Sequence, residues 1–297
     1  MTEAGGRPAA DRVTVLVVTF NSAHCVPALA EGLAGLPHVT VVDNASRDDT
    51  AAAVARALPA ARWMPQSRNL GFGAANNVGW RAASTEFVLL LNPDGRLLPG
   101  ALQALVAAAD LCPQAAAVAP QLVDRHGRDE ASARWRTDRW ASRGPGVEGL
   151  ACVGFASGAC LLVRTEAMRR IGGFDEDFFL YYEDDDLCIR LQDGFGPLLF
   201  EPEARVQHAS RGSVGGRAVL SAEYLRGYHH IQSKFRFQAR HLRRRAGLAR
   251  RVRYAAAAAL EGLLRLCLLD RRRAARAFGR VAGALRWRGD VVSSPRA

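Results

Sequence analysis

The sequence predicts an α/β fold around a mostly parallel sheet, on three observations. Short β-branched apolar runs recur along the chain, Gly/Asn/Asp punctuation follows them, and segments with helical spacing lie between them. Runs that are continuously apolar rather than alternating suit strands buried on both faces. Val13 to Phe20 is the first, too short to cross a bilayer. Helical spacing follows from Cys25 to Leu36, and Val39 to Asn44 is the second buried strand. Ser46 and Asp48 stand where they would cap an Ala-rich helix over 50–58. Arg62 to Met64 reads as a short strand, and the Gly/Asn-rich stretch 69–79 as a loop leading into a helix. Glu86 to Leu91 is a further buried strand, stopping at Asn92-Pro-Asp-Gly95. A helix over 100–111 and a strand over 115–119 come next. Residues 124–150, with Arg134, Trp135, Arg136 and Trp140, form a long irregular loop, a length that points to function. Phe155 to Val163 re-enters the core, Ile171 to Phe174 turns, 185–192 is helical, and 198–200 and 204–208 are closing strands. From Ser221 onward the chain reads as helices rich in Ala, Leu and Arg.

The 297 residues suffice for one large domain with an appendage, and 49% hydrophobic content excludes global disorder. The expected organisation is a loose arm (1–12), a sheet domain in two halves (13–115 and 116–220) and a basic tail (221–297). Six cysteines without a C-x-x-C pair, and no leader-like apolar segment at the N-terminus, predict reduced thiols in a cytoplasmic protein. The net charge of +11 is unevenly spread: residues 221–297 hold 19 Lys and Arg against 4 Asp and Glu, and the rest is mildly acidic. That asymmetry suits chemistry in the body and attachment through the tail. Basic clusters at 243–245, 250–251 and 271–273 around an apolar segment suit a helix lying on an anionic membrane surface. A solvated face on packed helices is the plainer reading, and nucleic-acid binding the least favoured.

Chemistry concentrates at Glu183-Asp-Asp-Asp186, behind the apolar run 178–182. Carboxylates this close repel, and helix capping accounts for only one or two of them. The sharper reading is an acidic cluster holding a general base. Asp94 ends a buried strand, where a carboxylate can ligate a hard cation, although Asn-Pro-Asp-Gly is equally a turn sequence. Ligands of parallel sheets sit at the carboxyl ends of strands, which is where Thr19, Phe20, Asn21, Asp43, Asn44, Asn92 and Asp94 fall. Taken alone, His208 reads as an ordinary surface or core histidine. Gly71-Phe-Gly73 is an incomplete dinucleotide fingerprint in the wrong place.

Six motifs occur in order: Val17-Val-Thr-Phe-Asn-Ser22, Val41-Val-Asp-Asn-Ala-Ser46, Asn69-Leu-Gly-Phe-Gly73 with Asn76-Asn-Val-Gly79, Leu91-Asn-Pro-Asp94, Gly172-Gly-Phe-Asp-Glu176 and Tyr182-Glu-Asp-Asp-Asp-Leu187. Together they resemble the family 2 inverting glycosyltransferases, in the branch containing rhamnosyltransferases and galactofuranosyltransferases. The likeness runs from about Val13 to His208.

The resemblance implies a GT-A fold, a nucleotide-sugar donor (a dTDP- or UDP-sugar) and a divalent cation, Mg2+ or Mn2+. Residues 13–115 would be the donor-binding half and 116–220 the acceptor-binding and catalytic half. Thr19, Phe20, Asn21, Asp43, Asn69, Gly71, Asn77, Asn92 and Asp94 match the donor site, and Asp94 with His208 the metal site. Asn92 stands where the family's D-x-D element carries its other carboxylate. Asp184 matches the general base, with Glu183, Asp186, Gly158 and Trp135 as supporting or acceptor-side residues, while Asp185 has no assigned role. The implied reaction moves rhamnose from dTDP-rhamnose to a cell-envelope glycan or polyprenyl-linked acceptor, at the inner face of the cell membrane. Another donor sugar or a soluble natural-product acceptor is the alternative within enzymes. A non-catalytic nucleotide or nucleic-acid binding protein is the alternative outside them.

Overall fold

The computed structural model describes residues 7–135, 149–209 and 219–289. Expectations for residues 1–6, for Arg136 and Trp140 in the loop, and for the last eight residues lie outside these. The described residues fall into two units. The first runs to Glu176 and resumes at Asp184; the second joins residues 177–183 to the C-terminal helices.

In the first unit, α1 (Ala9–Arg12) leads into β1 (Val13–Thr19), and a single 3-10 turn precedes α2 (Val26–Gly32). Then come β2 (Val39–Asp43), α3 (Thr50–Ala57), β3 (Arg62–Pro65), α4 (Phe72–Arg81), β4 (Phe87–Leu91), β5 (Gly95–Leu97) and α5 (Ala101–Leu111). The second half holds β6 (Ala117–Val123), β7 (Asp129–Glu130), β8 (Ala133–Arg134), β9 (Ala151–Val153), β10 (Phe155–Ala156) and β11 (Cys160–Arg164). It ends with α6 (Thr165–Ile171), α7 (Glu183–Gly194) and β12 (Leu198–His208). The main sheet runs β3-β2-β1-β4-β11-β6-β12-β5, with β7 on β6 and β9 on β12, and β8 pairs with β10 separately. Parallel pairing holds β3, β2, β1 and β4 together and joins β6 to β12. In contrast, β11 is antiparallel to both its neighbours and β5 to β12.

The apolar runs become strands because both faces of the sheet are covered. Along β1, Val13, Val15 and Val17 enter one core with α2 and α5, whereas Leu16 and Val18 enter the other with Trp80, Met168, Phe174 and Leu191. Alternate residues of one strand thus feed two cores.

Several local expectations change. Residues 9–12 are helical rather than loose, because Arg12 binds Glu86 at 2.8 Å and Asp110 at 2.7 Å. Ser46 does not cap α3; its hydroxyl donates to Asp43, and Asp48 accepts the Thr50 N–H instead. Most of the 69–79 stretch is helix α4. The two closing strands are one, β12, whose pairing shifts between Glu201 and Arg205 around Pro202.

The second unit contains α8 (Val219–His241), α9 (Leu248–Cys267) and α10 (Arg271–Leu285), around Ile231, Phe235, Ala255, Ala284 and Trp287. Glycines let α8 and α10 touch backbone to backbone. A Cβ on Gly279 would overlap the Tyr224 carbonyl, and one on Gly227 the Arg276 carbonyl. Segment 177–183 lies on α8: Ser233 donates to the Leu180 carbonyl at 2.9 Å, and Phe179 stacks on His229 at 4.2 Å. Arg236 pairs with Asp177 at 2.7 Å. These contacts hold Tyr181 and Tyr182 at φ of 69° and 67°, a left-handed pair that aromatic residues rarely adopt unsupported. Gly279→Ala is expected to destabilise the helical unit by about 1–3 kcal/mol, because backbone and not a flexible side chain must move. Urea unfolding followed by helical circular dichroism reads this, and an unchanged midpoint contradicts the close contact.

Candidate active site

The parallel strands end together, which assembles the first group of predicted residues. Thr19 and Asp43 are register partners on β1 and β2, and Thr19 Oγ1 donates to Asp43 Oδ1 at 2.9 Å. The Ser46 hydroxyl and N–H donate to the same carboxylate at 2.6 and 3.0 Å. Asn21, at φ 53°, donates its N–H to Ser46 and accepts from the Arg47 N–H, so the turn after β1 is tied to the turn after β2. Phe20 beside it is 44% exposed. Asn44, which the sequence places at the same strand ends, donates to Asn69 Oδ1 and the Gly71 carbonyl and accepts from the Leu70 N–H. It binds the loop before α4 to the end of β2.

Asn77 departs from the expectation of a place near base or diphosphate. It is fully buried: its amide donates to the Phe174 carbonyl and Glu176, and its oxygen accepts from Trp80 Nε1 and the Phe174 N–H. All four hydrogen-bonding positions are consumed inside the protein, so Asn77 serves the fold.

At the end of β4 the Gly95 N–H bonds the Asn92 carbonyl at 2.9 Å, so the turn reading of Asn-Pro-Asp-Gly is correct. That turn also aims Asp94 at His208, with Oδ1 and Nε2 3.4 Å apart and both side chains largely buried. His208 is there because β12 pairs antiparallel with β5, register His208 to Gly95. Glu130, on β7, is 3.7 Å from the other ring nitrogen. Burial opposes charge on the imidazole, but Asp94 and Glu130 outweigh it and hold its pKa above the ordinary value. Among the described residues no group of three or more acids, histidines and cysteines converges as a metal cage. An Asp–His pair fits a hard cation that takes its remaining ligands from substrate phosphates and water.

The antiparallel insertion of β11 beside β4 brings in the acidic helix. Asn92 N–H bonds the Ala159 carbonyl at 2.8 Å, and the preceding Gly158 N–H points to Asp184 Oδ2 at 3.4 Å. Gly158 allows the approach: an added Cβ would stand 3.3 Å from that of Asp184 and 3.6 Å from the Phe72 ring. Of the four acids, Glu183, Asp185 and Asp186 are buried and Asp184 alone stays partly exposed. Asp186, wholly buried, pairs with Arg190 one turn later at 2.7 Å. Arg190 also donates to the carbonyls of Ile171 and Gly173. Asp185 pairs with Arg134 of β8 at 3.1 Å, and Arg134 in turn lies 3.7 Å over the Phe155 ring. Asp185, without an assigned role before, is thus a structural anion. Trp135 follows Arg134 and is 40% exposed. Burial raises the pKa of Asp184 above the usual carboxylate range. Burial, with Asp184 beside it, pushes the Asp185 carboxyl up to about 7 against the pull of Arg134.

A carboxyl raised by folding contributes stability that is fully present below its unfolded pKa, about 4, and is lost as pH rises through about 7. Asp185→Asn is therefore expected to gain on the wild type between those limits while still accepting from Arg134. Urea midpoints that keep a constant gap from pH 4.5 to 7.5 contradict this. Arg190→Met strips the buried Asp186 of this cation and is expected to cost about 3 kcal/mol. A loss under about 1 kcal/mol in the same assay shows that Asp186 does not depend on Arg190.

Residues 14–172 match the family described as glycosyl transferase family 2. The chain is 33% identical over 243 residues to the N-acetylglucosaminyl-diphospho-decaprenol L-rhamnosyltransferase of Mycobacterium tuberculosis, an alignment covering 69% of this chain and 78% of that protein. It is 31% identical to the pre-mycofactocin glycosyltransferase of the same organism, over 71% of this chain and 46% of the other. In structure it is similar to the mannosyltransferase PcManGT of Pyrobaculum calidifontis, solved with GDP-Man and Mn2+ (TM-score 0.55, 21% identity, 94% and 88% coverage). It is also similar to S. aureus TarS 1-349 in complex with UDP (TM-score 0.57, 18% identity, 95% and 94% coverage). The chain belongs to glycosyl transferase family 2 and is a glycosyltransferase of GT-A fold.

Proposed function

We propose that this protein is an inverting rhamnosyltransferase that moves rhamnose from dTDP-rhamnose to a hydroxyl of a polyprenyl-linked cell-envelope glycan. The observation that carries the reaction type is the sorting of the four acids: three are buried, and Asp184 is the least buried of them, beside the Gly158 N–H. The 33% identical relative, whose name specifies rhamnosyl transfer to a diphospho-decaprenol sugar, supports the donor and acceptor class.

In this reading Asp184 accepts the proton of the acceptor hydroxyl while that oxygen bonds to the anomeric carbon. The bond to the nucleoside diphosphate breaks on the opposite face, which inverts the configuration. The Gly158 N–H and the Asp185 N–H, 3.0 Å from Asp184 Oδ1, orient the carboxylate. Its raised pKa makes it a better proton acceptor than an exposed aspartate. Glu183 and Asp186 support it, and Trp135 and Gly158 belong to the acceptor side. Asp43 already accepts three hydrogen bonds, which leaves one position for the single ring N–H donor of thymine or uracil. Thr19, Phe20, Asn21, Asn69, Gly71 and Asn92 complete the donor side. Asp94 and His208 would hold Mg2+ or Mn2+, whose charge stabilises the departing diphosphate.

A polyprenyl-linked acceptor stays in the bilayer, so the enzyme works from the inner membrane face, attached through residues 221–297, with no role in nucleic-acid binding. Among the described residues no helix is long and apolar enough to cross a membrane. Asp184→Asn is expected to lower transfer by about a hundredfold or more while keeping the thermal shift produced by dTDP with Mn2+ or Mg2+. Loss of that shift moves Asp184 to the donor site. A screen of dTDP, UDP and GDP sugars in which dTDP-rhamnose stabilises no better than the others overturns the donor assignment.

A further inference from the structure

Helix α9 has its faces reversed relative to an ordinary surface helix. At 100° per residue, its buried residues Ala255, Ala258 and Gly262 fall on one side, and they are small. The other side carries large apolar ones: Leu260 is 70% exposed, Leu263 57% and Leu264 57%, with Val252 (49%) at its edge. Leu268 (63%) and Leu269 (83%) extend this surface past the helix end. Between Ala256 and Leu264 that side carries one charge, Glu261 at its edge; Arg253 and Arg250 stand on it nearer the helix start, while Arg251 and Arg265 fall on the buried half. Arg251 caps carbonyls at the end of α10, Arg250 reaches Gln238, and Glu261 pairs with Arg280, so these three charges are engaged within the unit. An apolar stripe this continuous marks an interaction surface.

Charge decides what covers it. Exposed arginines stand at both ends, Arg243 to Arg245 before α9 and Arg271 to Arg273 after it. The tail holds 19 Lys and Arg against 4 Asp and Glu, so two copies meeting through this face would repel. An anionic bilayer offers both the apolar layer and the negative phosphates. We propose that α9 lies flat in the interface of an anionic membrane, with Leu260, Leu263 and Leu264 at the acyl boundary and the arginines before and after the helix on headgroup phosphates. This rests on the reading of residues 221–297 as the membrane attachment and names the surface that performs it.

The test is co-sedimentation of the full chain with vesicles of phosphatidylcholine alone or in equal parts with phosphatidylglycerol, beside the Leu260→Glu/Leu263→Glu variant. Both substituted positions are exposed, so circular dichroism of the variant is expected to match the wild type. The wild type is expected to pellet with anionic vesicles only, and the variant to bind about tenfold more weakly. If the wild type ignores the vesicles, the attachment reading falls and this proposal with it. If both proteins bind equally, attachment stands and the α9 face is overturned. If light scattering shows a wild-type dimer that the variant abolishes, the face is an interface between copies and the proposal is overturned.

Discussion

Carboxylates stacked in one helical turn and removed from water are the constraint on which the catalytic half depends. Desolvation penalises each of them and they repel one another, so a folded state exists only where cations meet them. Arg190 meets Asp186 from one turn away, and in doing so grips the carbonyls of Ile171 and Gly173. Gly173 and Phe174 are in turn packed against Asn77 and Trp80 of α4. Arg134 meets Asp185 from the short β8–β10 ribbon. Satisfying these two charges therefore locks α7 to two other elements, and Asp184 is held in place between them.

The sheet supplies the complementary half of the site. Parallel pairing of β1, β2 and β4 sets Thr19, Asp43 and Asn92 along one edge. The antiparallel strand β11 then starts at that edge instead of leaving from it, delivering Gly158 and Ala159 beside Asn92. The mixed sheet is what places Gly158, and with it Asp184, beside Asn92 from another part of the chain. A wholly parallel sheet would send β11 out at the same edge and lose the juxtaposition.

The helical unit obeys a different economy. Its packing relies on glycine and alanine where helices touch, which leaves the leucines of α9 outside. It also holds residues 177–183, the two left-handed tyrosines included, immediately ahead of α7 in the chain. The stretch leading to the acids is thus organised by helices far downstream in sequence.

Much of this was legible from residues alone. Val13 to Phe20, Val39 to Asn44 and Glu86 to Leu91 are strands because β-branched runs between turn residues leave a local chain few alternatives, and the motif order carried the family. Arg190 was within reach as well, since an i,i+4 partner is a property of the helix. Arg134 was not, because it lies 51 residues from Asp185 and only the pairing of β8 with β10 brings it back. Nor was the confinement of Asn77, whose motif context suggests a ligand but whose neighbours Phe174 and Glu176 arrive through tertiary contact. The sequence by itself determined the buried strands β1, β2 and β4 and the four acids that compete for solvent. Only the tertiary structure decided that Asp184 is the least buried of them, because burial and counter-charge are set by neighbours distant in the chain.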